Sequence, residues 1–163
     1  MSETPKVPEL PEKPSKPREL GELGNLEKLR RVLEAALERN ALMPLVMDIR
    51  GVTSFADAFV LLSGRSARQA RAIAESIVDA LREADDAPLG IEGIDDGRWV
   101  LIDCNDVIVH VFEPEMRDLY ALERLWSDAP VVDLGRIGVD PAAILAAGTP
   151  DTGVQVSDQE TLA

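Results

Sequence analysis

The chain has 163 residues, enough for one ordinary domain with a sizeable core and too few to expect two. Its net charge is −13; residues 22–129 carry −9 of it and residues 130–163 carry −4, while residues 1–21 are neutral. An acidic body argues against a surface that tracks phosphates, so no nucleic-acid readout is expected. The single cysteine, Cys104, excludes an internal disulfide and fits a reducing compartment. No apolar run approaches the ~20 residues of a membrane span, and the N-terminus lacks the apolar core of a signal peptide. The expectation is a cytoplasmic protein.

Residues 1–23 form a Pro-rich extension with prolines at 5, 8, 11, 14 and 17. That three-residue step matches polyproline II, whose prolines would line one edge and could meet a proline-binding domain. A solvated, semi-stiff and disordered tail is the plainer reading. The folded unit is expected over residues 24–129. Asn25 suits an N-cap, and Leu26, Leu29, Leu33, Ala36 and Leu37 make the buried stripe of a first helix that Asn40 can close. Leu45 to Ile49 reads as a first strand. Ala58 to Ser63, nearly all apolar, reads as an interior strand covered on both faces. Ser66 to Gln69, SARQ, is a capping box opening a second helix with Ala70, Ile73, Ala74, Ile77 and Leu81 inward. Pro88 to Ile94 suggests a short strand, followed by an Asp95-Asp96-Gly97 turn.

Trp99 to Phe112, WVLIDCNDVIVHVF, then alternates as a strand, a turn at Asn105 and a second strand. Trp99, Leu101 and Asp103 share one face. On the second strand Val107, Val109 and Val111 oppose Asp106, Ile108, His110 and Phe112. From Pro114 to Trp126 the three- and four-residue steps of Met116, Leu119, Tyr120, Leu122, Glu123 and Trp126 predict one helix. Beyond Val131 the amphipathic rhythm is lost. Residues 130–163 are expected to be an acidic, largely disordered extension, with one small helix over Val139 to Ala147. Helices alternating with strands before a hairpin and final helix imply an α/β fold, a mixed β-sheet with helices packed around it.

The residues offer little for catalysis. One histidine and one cysteine cannot assemble the usual zinc ligand sets, so no metal or other cofactor is expected. His110, between Ile108 and Phe112 on a strand face, reads as packed rather than catalytic. Ser63-Gly64-Arg65-Ser66 before a helix points amides at a potential anion, which keeps nucleotide binding open, although neither phosphate-loop fingerprint is present. Asp103 and Asp106 flank a turn and are not the same-face pair that holds Mg²⁺ in nucleotidyl transfer. Protein binding fits better: Trp99, Tyr120 and Trp126 cluster in the last hairpin and helix, and aromatics anchor interfaces. Trp99, at the start of a strand after DDGR, is expected to be partly exposed; Trp126 is placed evenly between core and interface.

The span from Asp48 to Asp128 resembles the ribosomal silencing factor family (RsfS, also YbeB or iojap-like). The blocks DIRGVTSFADAFVLLSGRSARQ, PLGIEG and WVLIDCNDVIVHVFEPEMRDLYALERLW occur in the family's order and spacing. The last is the most specific, with Trp-x-x-x-Asp, Asp-x-x-x-His and Tyr-x-Leu-Glu-x-Leu-Trp. The resemblance implies a nucleotidyltransferase-like fold without catalytic carboxylates, and a non-enzymatic repressor of translation. It implies binding to the large ribosomal subunit at its fourteenth protein, which blocks joining of the small subunit when nutrients are short. It also implies self-association as a homodimer. Carried over by position, the partner-binding residues are Trp99, Cys104 and Tyr120, with Asp103, Asp106 and His110 shaping the hairpin. Asn105 stands where the family usually has glycine, and Cys104 where it often has a bulkier contact. A nucleotide-binding or nucleotidyltransferase-like enzyme is the alternative. A dimeric adaptor recruiting through the Pro-rich tail is another.

Overall fold

A computed structural model describes residues 24–148. Five strands form one mixed sheet in the order β1-β2-β5-β4-β3. They are β1 (Leu42–Asp48), β2 (Ala58–Ser63), β3 (Gly90–Glu92), β4 (Trp99–Asp103) and β5 (Val107–Phe112). Only β2 and β5 pair in parallel, with Val60 opposite Val109; the other neighbours are antiparallel. The helices are α1 (Leu26–Glu38), α2 (Ala67–Glu83), α3 (Pro114–Tyr120), α4 (Leu122–Leu125), α5 (Leu134–Ile137) and α6 (Pro141–Ala147). The expected α/β architecture is therefore what the chain adopts.

Strand alternation sorts the side chains into two cores. Val46, Val60, Leu62, Val100, Ile102, Val107, Val109 and Val111 face α1 and α2, whose stripes include Leu29, Val32, Leu33, Ile73, Ile77 and Leu81. Met47, Phe59, Leu61, Trp99, Leu101, Ile108 and Phe112 face the other way, under Met116, Leu122, Trp126 and the loop carrying Ala56. The central β2 and β5 are buried throughout, which is why β2 reads as a continuous apolar run.

Helix ends follow local chemistry. Ser66 Oγ accepts the Gln69 amide at 3.1 Å, and Gln69 Oε1 accepts the Arg65 amide at 2.7 Å, one residue before the usual reciprocal bond. Asn40, at φ 62°, closes α1 in a Schellman turn through the bonds Ala41 N to Ala36 O and Asn40 N to Leu37 O. Asn25 precedes α1 but makes no side-chain cap; its amide is drawn instead to Asp106. Gly64 is dictated by packing. A Cβ there would lie 2.7 Å from the Ala70 backbone nitrogen, so only glycine lets α2 start so close to the end of β2.

Two sequence expectations are corrected. The helix after Pro114 is broken: Ala121 adopts the left-handed conformation (φ 46°, ψ 53°), separating α3 from α4. The folded unit also continues past residue 129. Asp48 N donates to Pro130 O and Val132 N to Val46 O, each at 2.8 Å, and Met47 bridges Val131. This strap covers the outer edge of β1, satisfying amides that an open sheet edge would leave bare. Beyond it α5 packs on α1 and α6 on β1, and Ile137 and Val139 enter the core. Local amphipathicity did not show this, because each helix is short and contributes only one or two buried residues. The Pro-rich segment and residues 149–163 lie outside the described residues.

Candidate partner-binding site

The six residues singled out in the sequence fall into two groups at opposite ends of the β4–β5 hairpin. At the open end, Trp99 stands across from Phe112, and the indole Nε1–H donates to His110 Nδ1 at 3.1 Å. That bond leaves the imidazole proton on Nε2. Phe59 meets His110 edge-on at 4.9 Å between ring centroids, and Trp126 meets Phe59 in the same way at 5.3 Å. The Tyr120 ring lies 5.1 Å from Trp99 and covers it. Trp99 is therefore only 3 % exposed, against the expected partial exposure. Period and neighbours placed it at a strand start; the tertiary contact from α3 buries it. Trp126 is likewise core. His110 is fully buried, and desolvation pushes its pKa down to about 3, so it is neutral and packed. Of this group Tyr120 alone is half-buried and reaches the surface.

At the turn end, Asp103 Oδ1 accepts the Asn105 amide at 2.9 Å, and Asn105 takes φ 75°, the backbone conformation for which glycine or asparagine is suited. Lys28 on α1 donates to Asp106 Oδ1 at 2.8 Å and to Cys104 O at 3.0 Å, with Asp86 at 3.4 Å. Asn25 Nδ2 donates to Asp106 Oδ2 at 3.1 Å. Asp106 thus joins the helical side of the sheet and not the Ile108 face, since alternation does not hold through a turn. Burial alone would raise its carboxyl, but the bonds from Lys28 and Asn25 outweigh it and hold the pKa below the ordinary value. Cys104 is buried in the helical core, and burial pushes its thiol up to about 12. It is no exposed contact and no nucleophile.

Several of the groups that phosphate chemistry would use are engaged within the fold. The amides of Gly64, Arg65 and Gln69 bond to Phe112 O, Gln69 Oε1 and Ser66 Oγ. Asp106 is neutralised by Lys28, and Asp103 closes its own turn. Among the described residues no cluster of three or more His, Cys, Asp or Glu could hold a metal ion.

Three features escaped sequence reasoning. Lys28 and Asn25 hold the hairpin turn from 76 to 81 residues away. Leu119 and Leu125, on either side of the break at Ala121, are 67 % and 63 % exposed. Arg117 Nε bonds Glu123 Oε2 at 3.1 Å and its Nη1 bonds Ser63 Oγ at 2.9 Å, all three residues being buried. Burial pulls the Arg117 guanidinium below its ordinary value, and Glu123 opposes that. The sequence signal was present but indirect: a glutamate inside the apolar Leu122–Trp126 stretch needs a partner.

The model of the family described as "Ribosomal silencing factor during starvation" matches residues 23–159, most of the chain. The chain belongs to the ribosomal silencing factor family. Its similarity to the Bacillus subtilis ribosomal silencing factor RsfS is 44 % identity over 90 residues, covering 55 % of this chain and 76 % of that protein. The Halalkalibacterium halodurans silencing factor is 37 % identical over 106 residues, 65 % of this chain and 91 % of that one. A mouse protein named for mitochondrial assembly of the ribosomal large subunit is 31 % identical over 93 residues, 55 % of this chain and 41 % of its own length. A crystal structure of a Chromobacterium violaceum protein superposes with a TM-score of 0.62 at 34 % identity, covering 64 % of this chain and 88 % of that one. The family is a regulatory one.

Proposed function

We propose that this silencing factor binds the large ribosomal subunit, at its fourteenth protein, and sterically prevents the small subunit from joining when nutrients are short. The family description and the large-subunit name of the mouse relative support the direction of this reading. The structural observation that carries it is the α3–α4 corner. Leu119 and Leu125 are exposed there beside half-buried Tyr120, which is backed by the rigid Trp99–His110–Phe59 stack. Large side chains on a fixed support are what an interface anchor requires. Glu115 and Asp118 on α3 and Asp128 just after α4 are exposed as well, with Arg124 as the one exposed cation of α3 and α4. An acidic rim suits a basic ribosomal-protein surface and would speed encounter. Occupancy does the work, with no bond made or broken.

Trp99 and His110 act in this reading from beneath the surface, and Asp103 and Asp106 by fixing the hairpin turn that exposes Asn105. Co-sedimentation with purified large subunits tests the assignment. Leu119→Ser and Leu125→Ser together should keep the melting temperature, since exposed substitutions stay within about 0.5 kcal/mol. They should weaken binding by about tenfold or more, as expected of interface anchors. Binding of the native chain should also weaken as salt rises. Unchanged binding by the double variant would remove the corner from the interface.

A further inference from the structure

The Arg117–Glu123 pair is an unusual thing to bury. Each side chain is at most one-tenth exposed, and Arg117 Nη2 and Glu123 Oε1 make no hydrogen bond among the described residues. A pair left partly unsatisfied in this way contributes little net stability, and an apolar pair of similar volume often does as well or better. The two residues are six apart. In an unbroken helix that spacing leaves them about 120° apart around the axis, on different faces. The bond at 3.1 Å therefore exists only because the chain turns at Ala121, an alanine held left-handed where glycine would be the ordinary choice. Ser63, at the end of β2, ties the same guanidinium to the sheet.

We propose that Arg117, Glu123 and Ser63 are positioning residues that lock the α3–α4 corner and so set the surface offered to the large subunit. Tyr120 comes immediately before the corner, and Leu119 and Leu125 flank it. Without the pair the turn at Ala121 loses the side-chain bond that spans it, and Tyr120, next to that turn, loses its fixed place on Trp99. The glutamate of the Tyr-x-Leu-Glu-x-Leu-Trp block thereby acquires a role, as geometry rather than contact. The inference rests on the large-subunit reading above for its partner, but not for its effect on the Trp99–Tyr120 contact.

Two variants separate shape from stability. Arg117→Met with Glu123→Leu replaces the pair by apolar side chains of similar size. It should melt at or above the native temperature, lose the near-ultraviolet circular-dichroism signature of the Trp99–Tyr120 pair, and bind large subunits about tenfold more weakly. Glu123→Gln keeps an acceptor for Arg117 while leaving the buried cation unbalanced. It should melt lower yet keep the native near-ultraviolet spectrum and bind within about threefold of native, because the corner survives. Stability and binding then move in opposite directions. A double variant that keeps both native spectrum and native binding would overturn the proposal. So would a double variant that fails to fold, or binding losses that follow melting temperature in both variants. If the native chain itself does not bind large subunits, the functional reading fails, and the spectra alone still decide the positioning role.

Discussion

His110 is the one titratable group in the described structure whose protonation is opposed by complete burial, and the consequence is a defined acid sensitivity. Its ordinary value is 6.5 and the fold lowers it to about 3, so between those values the unfolded chain binds a proton that the native chain does not. Stability is therefore fully present above pH 6.5 and falls as pH drops toward 3, by about 4 to 5 kcal/mol at full extent. His110→Gln retains an acceptor for Trp99 Nε1 without the titration. Chemical denaturation across pH 7 to 4 should show a flatter dependence in the variant; equal slopes would contradict the assignment. Trp99 is the second test at this scale. Its burial and its bond to His110 make Trp99→Ala a core deletion, costing about 3–5 kcal/mol in urea unfolding. From the sequence, Trp99 reads as a partly exposed partner contact, whose removal should cost the fold little. A cost below about 1 kcal/mol would restore that view.

At the scale of elements, strands and the long helices were legible because each carries its own period. β2 declared itself as an apolar run, β5 by its alternation, and α2 by its stripe and Ser66 cap. The α3–α4 corner was not legible. Met116, Leu119, Leu122 and Trp126 keep helical steps straight through it, and Ala121 gives no sign of a left-handed residue; the turn is held by Arg117, Glu123 and Ser63. The strap after Ala129 was missed for the opposite reason, since its contacts are backbone bonds to β1 that no side-chain pattern encodes. The candidate site was half legible. Tyr120 and the turn stood out, while Leu119 reads as one step of the helix's apolar stripe, Leu125 carries no signal of its own, and Lys28 acts over a separation no local motif spans. Gly64 is where an element junction can be tested. Gly64→Ala would force a Cβ against the Ala70 backbone and should destabilise the protein by about 1–3 kcal/mol, read as a lowered denaturant midpoint. No change would mean that α2 can slide away from β2.

For the whole molecule, the two faces of the sheet divide the labour. The face under α1 and α2 supplies the valine-rich core and, through Lys28 and Asn25, holds the hairpin turn. The opposite face gathers the aromatic stack under α3 and α4 and ends at the exposed corner. Net charge of −13 over the full chain makes association with a basic partner fast and salt-sensitive. The Arg65 and Gln69 amides and the Asp106 carboxylate are committed to internal bonds. The most direct measurement is subunit joining. Purified large and small subunits are mixed with increasing amounts of the protein and separated on a sucrose gradient. The account predicts that joined ribosomes decline in proportion to the protein added, and that the protein travels with the free large subunit. Undiminished joining, with the protein left at the top of the gradient, would contradict it.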